Sequence, residues 1–292
     1  MGLNGIILVD KPCGWTSHDV VGKLRGILHE RRIGHSGTLD PMATGLLVVF
    51  VGRATRAVEF AEADSKEYIA GLRLGVSTDT QDITGNTLKS SNSLPSRAEL
   101  EQALGPFKGE ISQIPPMYSA IKVGGKKLYE LARRGESVER KPRRVTIDKL
   151  EIVGKIDGDY ILDVVCSKGT YIRTLCNDIG DSLGCGGCMS SLRRVKAGAF
   201  SIEQAHTIAE IQAAANNGEL DASLISVDRL FSSAYPALTV SDTAEKKLCN
   251  GNIIKLASPN GIYRVYTRTG GFLLLGEVAD NKLKTIKSFF EV

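Results

Sequence analysis

Between a basic stretch and an apolar run lies Gly34-His35-Ser36-Gly37-Thr38-Leu39-Asp40-Pro41. Its two glycines permit unusual backbone angles, and the proline pushes Asp40 toward an extended conformation. An acid fixed that way is presented to its surroundings instead of folding back on the chain. Asp-Pro also serves as plain turn punctuation, and composition alone leaves both readings open. Other groups that could do chemistry are less organised. Cys185-x-x-Cys188 could be half of a zinc site or a redox dithiol, but a structural zinc takes four ligands. No second Cys or His pair has matching spacing, and the histidines at 18, 29, 35 and 206 are scattered. We therefore do not expect a metal to carry the chemistry.

Charge is concentrated where the overall balance hides it. The whole chain carries +4, while residues 122–149 hold ten Lys or Arg against four acids. A second basic patch, Arg31-Arg32 with Lys23 and Arg25 nearby, precedes the Asp40 loop. Such clustering suits a polyanion, whose binding is dominated by phosphate neutralisation and counterion release. A solvated helix face would have the same composition.

The elements that must hold these residues can be read from periodicity. Residues 5–9 predict a buried strand, and Val20, Val21, Leu24, Ile27 and Leu28 predict a helix capped by Ser17. Strands are predicted at 46–51 and 66–74, with a pair at 145–153 and 160–166. Ser96-x-x-Glu99 opens a helix through Leu104, 170–183 is a further helix, and Ser201-x-x-Gln204 and Thr207-x-x-Glu210 start short ones. There is no βαβ rhythm. We expect an α+β fold with a mixed, largely antiparallel sheet flanked by helices. The stretch Ser232-Ser233-Ala234-Tyr235-Pro236 reads as a boundary, giving domains 1–234 and 235–292, the second a small β-domain. With 292 residues, 42% hydrophobic and 24% charged, a disordered chain is excluded. The apolar run at 46–51 is too short to span a membrane. Asp10 and Lys11 arrive too early for a secretory signal, so a cytoplasmic protein without disulfides is expected.

Beyond these local signals, Gly34-His35-x-Gly37-x-Leu39-Asp40-Pro41-x-Ala43-x-Gly45-Leu46-Leu47 resembles the catalytic motif of the TruB family of tRNA pseudouridine synthases. The resemblance extends to Lys11-Pro12-x-Gly14-x-Thr16-Ser17, Lys66-x-Tyr68, Thr78-Asp79-Thr80-x-Asp82 and Gln113-Ile114-Pro115-Pro116-Met117-Tyr118. Gly125-Lys126-Lys127, Lys168-Gly169-Thr170-Tyr171-Ile172-Arg173 and Leu192-Arg193-Arg194 complete it, in order over about 190 residues. The family isomerises uridine 55 of the tRNA T-loop to pseudouridine without metal or cofactor. The resemblance implies Asp40 as nucleophile, attacking either C6 of the base or C1′ of the sugar, with Arg173 as the cation that keeps it ionised.

The target base must be flipped from the tRNA elbow. By resemblance, Tyr68 stacks on the flipped uracil and is the candidate base for the C5 proton. His35 helps displace the nucleotide, Tyr171 and Leu192 line the pocket, Asp82 lies near it, and Lys11 and Pro12 support it. Residues 122–145 correspond to the family's RNA-docking insertion, and 235–292 resembles a PUA RNA-binding module. The implied partner is the tRNA T-arm, bound by a monomer with no obligatory protein partner and no membrane. Three alternatives are weighed against this. A non-catalytic tRNA-binding or folding protein would tolerate loss of Asp40, which is intact. A glycosidase or nucleosidase normally needs a second acid across the bond, where the matching blocks supply Arg173 and Tyr68. A catalytic subunit of an RNA-guided pseudouridylation complex would be expected to carry a long basic tail, which this chain lacks.

Overall fold

In the computed structural model, residues 3–61 and 65–290 are described. They divide into two compact units. The first comprises Met1–Asp40, Leu47–Ala63 and Glu203–Val292, and the second Pro41–Leu46 and Asp64–Ile202.

In the first unit, strand Gly5–Lys11 is almost wholly buried, as its unbroken apolar run Ile6-Ile7-Leu8-Val9 demands. Helix Ser17–Leu28 lays Val20, Val21, Leu24, Ile27 and Leu28 against Ile7, Val9, Ile33, Leu47, Val49, Val51 and Ile211. Each fully buried aliphatic side chain contributes about 1.5–3 kcal/mol. The cap is not the expected Ser17. Thr16 accepts from the Asp19 amide while Asp19 accepts from the Thr16 amide, a reciprocal capping box. Ser17 thus falls at the first helical position, with its hydroxyl turned to another use. Strand Ile33–Ser36 runs antiparallel to the later part of Thr44–Val51, with His35 opposite Val49. The strand at Gly5–Lys11 is also bridged at Ile6 by Ile225 and at Val9 by His206.

Also in this unit is a five-stranded sheet in the order Ala237–Thr239, Gly261–Tyr266, Phe272–Ala279, Lys282–Ser288, Ile254–Lys255. Val240, Leu248, Val265, Leu274, Val278 and Leu283 form its core. Its rings do not stop at that core. Phe272 and Phe289 stack at 5.3 Å, and both pack against Phe231, which meets Phe60 edge-on at 5.2 Å. Arg56 donates to Ser288, Lys287 pairs with Glu59, and Tyr266 donates to Asp228 at 2.7 Å.

The second unit is built on a sheet in the order Gly187–Ala197, Lys66–Leu74, Asp159–Cys166, Arg143–Ile156, Gly109–Gln113, all antiparallel. The opening residues of Thr44–Val51 join Gly187–Ala197 in parallel, Thr44 opposite Arg193 and Gly45 opposite Arg194. This is the mixed, largely antiparallel sheet that the pattern predicts. Helix Ile172–Ser182 buries Ile172, Leu175, Cys176 and Ile179. The basic segment forms a short hairpin, Lys122–Val123 with Lys126–Lys127, and helix Leu128–Ala132, anchored by buried Leu128 and Leu131. Ser96 and Thr207 cap their helices as expected, while the 201–204 signal gives only a 3-10 turn. Among the described residues no helix is long and apolar enough to cross a membrane.

Candidate active site

The first unit carries the Asp40 loop. Gly37 takes φ +68, a turn conformation that glycine adopts freely, and the chain then runs through buried Leu39 to half-buried Asp40. His35 leaves strand Ile33–Ser36 with its ring 5.8 Å from that of His18, edge to face at 83°. Lys11 is fully buried and donates to the Pro12 carbonyl at 2.9 Å and to that of Trp15 at 2.6 Å. Those two bonds tie down the turn that contains exposed Pro12 and leads into helix Ser17–Leu28.

The second unit brings five of the sequence-selected residues into two groups. Tyr68 lies opposite Arg194, and Ala70 opposite Leu192, on neighbouring antiparallel strands. Directly opposed residues share a face, so the Tyr68 ring, Leu192 and the Arg194 side chain project together. Tyr68 and Leu192 are both nearly buried. Arg194, at 1% exposure, donates from Nε to the Leu46 carbonyl at 2.7 Å.

Arg173 and Asp82 form the second group, with Tyr171 two residues from Arg173. Arg173, 5% exposed, donates to the carbonyls of Thr80 at 3.2 Å and Tyr118 at 2.9 Å. The Asp82 carboxylate stands 3.8 Å from its guanidinium. The other Asp82 oxygen accepts from the Thr80 hydroxyl and from the Thr84 amide, both at 2.9 Å, and so organises the turn that offers Thr80. The guanidinium fork is thus fixed in direction by two carbonyls and the Asp82 carboxylate.

Gln113 belongs to the motif blocks, but the resemblance implies no role for it. It is 2% exposed and brackets the Tyr171 backbone, donating to its carbonyl at 3.0 Å and accepting from its amide at 2.8 Å. These partners lie 58 positions apart, and no local pattern announces the pairing. Only the coincidence of two motif blocks hinted at it.

Cys185 and Cys188 are buried free thiols; the Cys185 thiol lies 3.3 Å from the Gly186 carbonyl. Burial pushes the Cys188 thiol up to about 11, far from the thiolate needed for redox or metal chemistry. Among the described residues no three His, Cys, Asp or Glu side chains converge as a metal site requires.

Residues 25–172 match the model of the N-terminal domain of TruB family pseudouridylate synthases. Residues 173–232 match that of the tRNA pseudouridylate synthase B C-terminal domain. A tRNA pseudouridine synthase B of Clostridium kluyveri is 42% identical, covering 98% of this chain and all of that protein. One from Bacillus subtilis is 42% identical over 87% of this chain and 84% of its own. Among solved structures, a chain of a Cbf5-Nop10-Gar1 complex superposes with a TM-score of 0.73 at 25% identity, covering 98% of this chain and 85% of that one. A chain of an H/ACA RNP bound to a substrate RNA containing 2′-deoxyuridine gives 0.73 at 23%. The curled C-terminal sheet is consistent with a PUA-like domain.

Proposed function

Because the chain belongs to the TruB family of pseudouridylate synthases, we propose that it isomerises uridine 55 in the T-loop of tRNA to pseudouridine, with Asp40 as nucleophile. The reaction balances without a co-reactant. The N1–C1′ bond breaks, the uracil turns, C5 joins C1′, the C5 proton leaves and N1 takes up a proton, as the carboxylate is released. Attack by Asp40 at C6 or at C1′ satisfies the same balance.

Other residues divide the remaining work. Arg173 holds the carboxylate ionised in a site dry enough to protect the detached base. Tyr68 offers its ring to the flipped uracil, an interaction worth about 1–3 kcal/mol, and its hydroxyl takes the C5 proton. An unperturbed phenol titrates near 10, so that step needs a neighbouring cation or a transient match in basicity. His35 displaces the target nucleotide, Tyr171 and Leu192 wall the pocket, and Asp82 steadies Arg173. Lys11 and Pro12 support the loop. Residues 122–145 dock the T-arm, with 1–234 as the catalytic domain and 235–292 as the RNA-binding domain. The enzyme acts as a cytoplasmic monomer without a protein partner, metal or cofactor.

One observation carries this reading: Asp40 stands in a loop that resembles the family's catalytic motif, within a chain that aligns with a tRNA pseudouridine synthase B along nearly its full length. The test is tritium release from C5-labelled uridine in T-arm RNA by wild type and Asp40→Asn. The amide is nearly isosteric but lacks the nucleophilic charge, so turnover should fall to background while RNA binding persists. Turnover above a few per cent of wild type would refute the assignment.

A further inference from the structure

Ser17 is 1% exposed and stands at the first position of helix Ser17–Leu28. Its hydroxyl makes two bonds to a single residue 22 positions away. It accepts from the Leu39 amide at 2.9 Å and donates to the Leu39 carbonyl at 3.2 Å. An extended residue presents its N–H and C=O on the same side, as a strand does to its neighbour, and here one side chain fills the neighbour's part. The carbonyl in question belongs to the peptide that joins Leu39 to Asp40.

Three observations make the contact more than incidental. The helix end does not need this hydroxyl, because Thr16 and Asp19 complete the capping box by themselves. The hydroxyl is mounted on a helix fixed in the core by Val20, Val21 and Leu24. Leu39 is itself buried, so the segment is anchored by side chain and backbone together. On the far side of Asp40, Pro41 disfavours the helical region for the acid. Asp40 is therefore bounded on both sides by constraints on its backbone, one covalent and one supplied from a distant helix.

We infer that Ser17 is a positioning residue for the isomerisation: its hydroxyl sets the Leu39–Asp40 peptide and thereby the direction in which the carboxylate is presented. This rests on Asp40 being the nucleophile. A misplacement of about 1 Å at a reacting group costs up to about a hundred-fold in rate. Loss of the hydroxyl should thus slow chemistry without weakening the hold on RNA.

The experiment compares full-length wild type, Ser17→Ala, Leu24→Ala and Asp40→Asn by T-arm RNA affinity, melting temperature and single-turnover tritium release at saturating enzyme. Ser17→Ala is expected to keep its Kd within about two-fold and to lose roughly ten- to hundred-fold in single-turnover rate. Leu24→Ala, on the same helix, should lose at least as much melting temperature and keep its rate well below the melt. A wild-type rate in Ser17→Ala overturns the inference, as does equal slowing in Leu24→Ala, which would make the effect one of stability. Asp40→Asn separates the two levels of the argument. If it turns over, the nucleophile assignment fails and Ser17's role with it. If it is inert while Ser17→Ala runs at the wild-type rate, only the positioning role falls. Should Ser17→Ala not accumulate as folded protein, Ser17→Cys, a weaker donor and acceptor in the same space, is expected to show the same slowed step with intact binding.

Discussion

Gly45→Ala should be among the most damaging single-methyl additions to this protein. Gly45 has φ +98, where an L side chain is strained at a cost of about 1–3 kcal/mol. A methyl there would also sit 2.3 Å from the Arg194 carbonyl oxygen and 2.9 Å from its amide nitrogen. Both are backbone atoms of a strand paired on its other edge with Lys66–Leu74, so neither yields cheaply. Forcing them apart adds overpacking of about 1–3 kcal/mol. It also strains the Arg194 Nε bond to Leu46, of a class worth about 1.5–3 kcal/mol. The sum, about 3.5–9 kcal/mol, rivals the whole stability of an ordinary domain. Gly158→Ala is the control: φ is +91 in the turn between Arg143–Ile156 and Asp159–Cys166, but nothing lies within 4 Å of the added methyl. It should cost only the backbone term. Urea unfolding followed by circular dichroism reads both. Equal midpoints for the two variants would refute the steric argument and leave the strand pairing without the tightness assigned to it.

Tyr68→Phe should bind T-arm RNA normally yet release little tritium, whereas Tyr68→Leu should also lose affinity by about five- to hundred-fold, from about 1–3 kcal/mol of stacking. Substantial tritium release by the Phe variant would leave Tyr68 as a stacking platform only. Truncation after Pro236 removes Phe272 and Phe289 and bares Phe231, so the shortened chain should melt several degrees lower. An unchanged melt would show that these rings add nothing to the rest of their unit. Hydrogen bonds from Thr16 lower the Asp19 pKa. A depressed carboxylate stabilises fully above its unfolded pKa near 3.9 and ceases to do so as pH falls through the folded value. The melting-temperature gap between wild type and Asp19→Asn should therefore be constant at neutral pH and close below about pH 4. A gap unchanged at pH 2.5 would contradict the capping-box account.

Where a rule is local, this sequence displays it openly. Val20, Val21, Leu24, Ile27 and Leu28 announce their helix by spacing, and Ser96 with Glu99 and Thr207 with Glu210 announce theirs by the capping box. The misplacement of the first cap has a local cause too. Thr16 and Ser17 are adjacent hydroxyls, and the acid three positions beyond Thr16 decides between them. What could not be read is non-local. Ser17 accepting from Leu39, Gln113 bracketing Tyr171 and Arg194 reaching Leu46 each join segments 22 or more positions apart. Each uses a polar side chain that is buried only because its partner is a backbone group, and periodicity records no such partner. Arg194 is the clearest case, since a charge buried in a strand interior requires such a partner.

The discontinuity of the first unit reaches back to how the chain is made. Ile7, Val9, Val20, Val21 and Leu24 share their core with Ile211, and the Gly5–Lys11 strand takes bridges from His206 and Ile225. A ribosome delivers those closing residues roughly 180 positions after the first helix is complete. At about 5–20 residues per second, that is on the order of 10–40 s. Throughout that interval the part of this apolar face that Ile211 closes lacks its native cover, while the 64–202 stretch can close on itself. Slowing elongation between residues 28 and 211 would lengthen that exposure.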